Sequence, residues 1–160
     1  MASYRLTSKA RSDIRRFLAV QTKTLGETLR EADLVSSFQI KSALEDKAQY
    51  PELRIGEILV KKEIIKPKTA DFFAQDWSKV VIQPEKDALG YYLRQAAILS
   101  SAQIEVILAE QRSTGVRFGT VAVFQGFLKS TTLDFFLANL FPEELHVSHF
   151  INMYQGSSLF

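Results

Sequence analysis

Two histidines and a few arginines are the side chains best suited to chemistry. His146 and His149 stand near Glu143 and Glu144. On a helix, Glu143, His146 and His149 would fall at i, i+3 and i+6 and could hold a metal ion. Three ligands in a tail make a poor site, so a solvated or partner-facing segment is expected there, and no metal. The chain has no cysteine, which excludes disulfides, thiolate metal sites and a Cys nucleophile, and fits a reducing cytoplasm. No phosphate-binding loop of the G-x-x-x-x-G-K-[ST] type is present, and no Ser-x-Gly elbow. Carboxylates are scattered among Lys and Arg, as on solvated helix faces. The expectation is a non-enzyme with no cofactor.

The arginines are unevenly placed. Residues 1–23 hold Arg5, Lys9, Arg11, Arg15, Arg16 and Lys23 against Asp13 alone, a balance of +5 in a chain of net charge +2. A basic leader on a mildly acidic body suggests an arm that meets an anionic partner. The spacing predicts a helix over 7–21, with Ile14, Phe17 and Leu18 on one face. That helix is expected to cap the rest of the fold. The alternative is a membrane-surface or nucleic-acid arm through Arg11, Arg15 and Arg16. Nucleic acid is disfavoured, because a later helix over 101–112 carries Glu105 and Glu110 against Arg112. No apolar stretch is long enough to span a bilayer.

The elements that would position these groups follow a repeat. An apolar residue followed by Gly occurs at Leu25-Gly26, Ile55-Gly56, Leu89-Gly90 and Phe118-Gly119. Each is followed at a fixed distance by an apolar pair: Leu34-Val35, Ile64-Ile65, Ile98-Leu99 and Phe127-Leu128. Copies one and three start 64 residues apart, and copies two and four 63 apart. A period near 30 marks a supersecondary unit that cannot bury its apolar face alone. Helix starts fall in the same frame. Ser36-Ser37-Phe38-Gln39 and Ser100-Ser101-Ala102-Gln103 match the S-x-x-Q capping box. Lys66-Pro67 places Pro at the first helical position, and Ser130-Thr131 supplies the fourth start.

The expected architecture is therefore all-α: two tandem pairs of helix–turn–helix repeats plus an N-terminal helix. The expected divisions are a basic arm over 1–23, a first pair over 24–77, a linker over 78–88, a second pair over 89–142 and a tail over 143–160. Second helices are expected over 37–48, 67–77, 101–112 and 131–140. Adjacent aromatics at Phe72-Phe73, Phe135-Phe136 and Tyr91-Tyr92 cannot share one helix face. One of each pair should enter its own core and the other reach a neighbour, with the Phe pairs packing between the two halves.

This frame resembles the N-terminal domain of the ATPases that power type II secretion and type IV pilus assembly, often called MshEN. Arg54-Ile55-Gly56, Leu59-Val60 and Ile64-Ile65 follow its pattern. So do Arg117-Phe118-Gly119, Ala122-Val123, Gly126 and Phe127-Leu128, and the five residues between Gln111 and Arg117 match its spacer. The resemblance covers about 25–77 and 89–140. It implies a cytoplasmic module at the inner face of the membrane that docks on a protein partner of a secretion or pilus apparatus. It also implies an alternative, binding of cyclic di-GMP, carried over onto Arg117, Gly119, Gln111, Gly126, Arg54 and Gly56. An Arg beside a Gly-opened helix start offers a cation and free N–H groups to a phosphate. The sequence departs from the pattern at Thr24 and Ala88, where Arg is absent. It departs again at Asp33, Glu63 and Ala97, which replace the central Gly.

Overall fold

A computed structural model describes residues 6–144, and among them there is no strand. The chain is all-α. Helix α1 (Ser8–Thr22) starts at Thr7, whose hydroxyl accepts from the Ala10 N–H. Then come α2 (Leu25–Glu31) and α3 (Ser37–Gln49). Helix α4 (Ile55–Lys61) is followed by α5 (Pro67–Asp71), which runs through a wide π turn at Phe72–Asp76 into α6 (Trp77–Ile82). The second half holds α7 (Leu89–Gln95), α8 (Ser101–Thr114), α9 (Phe118–Phe124) and α10 (Ser130–Leu140). A short 3-10 turn at Pro142–Glu144 closes the described chain. The remainder of the 143–160 tail, with both histidines, and Arg5 lie outside the described residues.

Each Gly dipeptide supplies the first two residues of a seven-residue helix, α2, α4, α7 or α9. Each of these helices ends alike. Asp33, Glu63, Ala97 and Gly126 take left-handed φ values of 55°, 57°, 54° and 72°. The next residue then donates its N–H back to the fifth residue before it: Leu34 to Leu29, Ile64 to Leu59, Ile98 to Leu93 and Phe127 to Ala122. This is the Schellman turn, which satisfies orphan carbonyls and reverses the chain. The apolar pairs read from the sequence are the two residues leaving that turn. Their second members, Val35, Ile65, Leu99 and Leu128, are buried.

The longer helices start as the capping chemistry dictates. Ser36 and Gln39 exchange both hydrogen bonds, and so do Ser100 and Gln103. Pro67 opens α5. The fourth start differs from expectation: Lys129 occupies the cap with no side-chain hydrogen bond, and the Thr131 hydroxyl donates instead to Asp33 Oδ2 at 2.7 Å. The helix expected over 67–77 continues to Ile82, because the π turn keeps Trp77 and Val81 on the core side. Gln83, extended before Pro84, ends it.

The two halves exchange matching contacts in both directions. Thr69 at the start of α5 donates to the Ala96 carbonyl at 2.7 Å, and Lys66 Nζ to the Ala97 carbonyl at 3.1 Å. Thr132 donates to the Ala32 carbonyl at 2.8 Å, and Lys129 Nζ to the Asp33 carbonyl at 2.9 Å. Between them sits an aromatic cluster. The Trp77 ring stacks on Phe135 with centroids 5.0 Å apart, and Phe73 lies 6.2 Å from both Phe135 and Phe136. Both members of both Phe pairs are buried in one core that all four units share. Tyr92 is buried and accepts the Asp87 N–H at 2.8 Å, while Tyr91 stays exposed. Burial pushes the Tyr92 phenol above its ordinary pKa.

Candidate interaction grooves

Gly26 lacks a Cβ, so α3 lies close against α2, with Ile40 Cδ1 3.2 Å from where that Cβ would be. Where the start of α4 joins them, a groove of about 610 Å³ opens. Ile40, Leu44 and Ile55 line it, with Arg30, Lys47 and Arg54 as its cations. Glu27 also borders it, but its carboxylate accepts the Thr24 N–H at 2.8 Å and the Thr24 hydroxyl at 3.1 Å. Those hydrogen bonds hold its pKa below the usual carboxylate value. Thr24, which stands where the resembled family has Arg, is thus the cap of α2. The T-x-x-E spacing of Thr24 and Glu27 is the sequence signal for this capping box.

A second groove of about 330 Å³ occupies the matching place in the other half. Gly90, Arg94, Ile104 and Leu108 stand where Gly26, Arg30, Ile40 and Leu44 stand in the first. Gln111 replaces Lys47, and Phe118 replaces Ile55. The Phe118 ring explains the smaller volume, since its Cζ lies 2.9 Å from where a Gly90 Cβ would be. Beside this groove lies a cleft of about 360 Å³, lined by Gln111, Arg117, Gly119, Thr120, Leu137 and Glu144 among others. Arg117 Nη1 is 3.5 Å from Glu144 Oε2, with both side chains substantially exposed.

The structure therefore brings Gln111, Arg117 and Gly119 together and leaves Gly126 apart. Gly126 is a turn residue with φ of 72°, it does not line that cleft, and nothing approaches within 4 Å of where its Cβ would be. Arg54 lines the first groove. Gly56 is buried under Leu25 Cδ2, 3.0 Å from its missing Cβ, and Gly119 under Leu133 Cδ1 at 2.6 Å. Both glycines thus have a packing role. Asp33 and Glu63, which replace the central Gly of the resembled pattern, belong to the turns and line neither groove.

Helix α1 lies against α6 with no residue of its own buried. Arg11 and Arg15 are exposed, and Arg16 is half-buried toward Lys86. The Lys86 ammonium donates to the Val80 carbonyl at 2.6 Å, to Val81 at 3.0 Å and to Gln83, closing the end of α6. Burial, then the Arg16 charge, lower its pKa, with Asp13 opposing. Ile14 and Phe17 line a cavity together with α6 and α10 residues, yet both remain exposed, as does Leu18. No helix among the described residues is long and apolar enough to cross a membrane. Among the described residues no group of three His, Cys, Asp or Glu could hold a metal.

No known family model matches the chain, and no solved structure matches it. It is similar to an uncharacterized protein of Picosynechococcus sp., 38% identical over 121 residues. The match spans 76% of this chain and 66% of that protein's length.

Proposed function

We propose that the chain is a non-catalytic interaction module that docks on a protein partner. By the resemblance of its repeat frame, that partner belongs to a secretion or pilus-assembly apparatus at the cytoplasmic face of the membrane. One observation carries this reading: the two grooves present Leu44 and Leu108, 55% and 38% exposed, at equivalent places, each beside an Arg. An apolar side chain exposed in a groove beside a cation offers surface that a partner can bury. The test compares the immobilised protein with its Leu44→Glu/Leu108→Glu variant in extract of the native source. A protein retained by the first should be lost with the second. Identical retention by both would overturn the reading.

A second reading rests on the convergence of Gln111, Arg117 and Gly119 in one cleft. Its volume suits a small ligand, and an Arg there could pair with a phosphate. In this reading the chain senses cyclic di-GMP. Calorimetric titration should then give heat that Arg117→Ala abolishes. No heat at ligand on the order of tens of micromolar would remove it.

A further inference from the structure

We infer that the protein is bivalent, each groove taking one copy of the same acidic, amphipathic helical segment of a partner. This rests on the protein-docking reading above and adds the chemistry and the stoichiometry. The two grooves lie on opposite halves of a single core, and four of their lining positions carry the same residue type, Gly, Arg, Ile and Leu. Two grooves on one body that share these four residue types present related recognition chemistry twice.

The occupant follows from floor and rim. Phe118 and Tyr91 add rings to the second groove, but the floor residues at matching places in both, Ile40, Leu44, Ile104 and Leu108, are aliphatic. They suit the apolar face of a helix, whose side chains recur at i, i+3, i+4 and i+7. The rim selects the sign. Arg30, Lys47, Arg54 and Arg94 lie within ion-pair distance of no carboxylate among the described residues. The one acid in the first groove, Glu27, is turned to its own helix start. Three cations beside the first groove's apolar floor, of which Lys47 also donates to the Leu53 carbonyl, and Arg94 beside the second's, complement a segment with acidic flanks. The first groove is the larger, so the two sites hold the same segment with different affinities. A partner that shows its segment twice would gain avidity from the fixed spacing.

The experiment is calorimetric titration of the full chain with a synthetic peptide of about 20 residues, long enough to hold a helix, carrying Leu on one face and Glu on the others. Two peptides should bind per chain, more weakly as salt rises. Leu44→Glu should leave one site, Leu108→Glu one, and the double variant none. Arg30→Glu and Arg94→Glu form a second pair should a leucine variant misfold by circular dichroism. One peptide per chain, removed by only one of the single variants, would overturn bivalence and leave the docking reading standing. Binding unchanged in the double variant, or no binding, would overturn both. Equal binding of a peptide with Lys in place of Glu would overturn the acidic partner.

Discussion

Ala97 holds a left-handed backbone with a side chain attached, and Gly126 holds the same conformation without one. A Cβ there crowds the adjacent carbonyl oxygen at about 1 kcal/mol. Ala97→Gly should therefore raise stability by about 1 kcal/mol, and Gly126→Ala should lower it by a similar amount. Urea unfolding midpoints would measure both, and equal midpoints for wild type and Ala97→Gly would refute the strain. Asp33→Gly should gain less, because it also removes the acceptor of the Thr131 hydroxyl. The sequence marked these positions only as departures from a ligand-binding pattern. A single residue's left-handed preference is a weak signal. Here it is overridden by two backbone hydrogen bonds and an apolar residue that enters the core directly after it.

At the scale of elements, the buried hydroxyls of Thr69 and Thr132 tie each half to the other's turn. Replacing either with Val leaves a carbonyl of comparable surroundings without its donor, at about 1–3 kcal/mol. The two variants should cost similar amounts, read by thermal unfolding. A large effect of one and none of the other would show that the contacts are not equivalent. Helix starts were legible because capping boxes and Pro are local chemistry with fixed spacing. The length of the 67–82 helix was not. Nothing in Phe72–Asp76 announces a wide turn, which forms because three aromatic side chains all find room in the core. The candidate site was legible in part. The Gly-led frame located both grooves, whereas the grouping of Gln111 with Arg117 needed α8 and α9 to fold back on each other, and Gly126 was drawn in by pattern alone.

The whole molecule is joined through Trp77 and its neighbours. Trp77→Ala removes the ring stacked on Phe135 and should cost about 3–5 kcal/mol. Because one core serves both halves, amide exchange should quicken in α2 and α9 alike. Persistent protection of either half would show that they fold separately. The aromatic pairs hinted at this joint from sequence, but pairing residues some 60 apart requires the fold itself. The π turn has one more effect. Each residue advances an α-helix by about 100°, so the wider loop acts as a phase correction inserted between Phe73 and Trp77. Wound as ordinary α-helix with Ala74 kept, the segment would swing Trp77, Val81 and the platform beneath α1 away together. A single surplus residue of backbone thus sets the angular timing on which the seam between the halves and the seating of the first helix both depend.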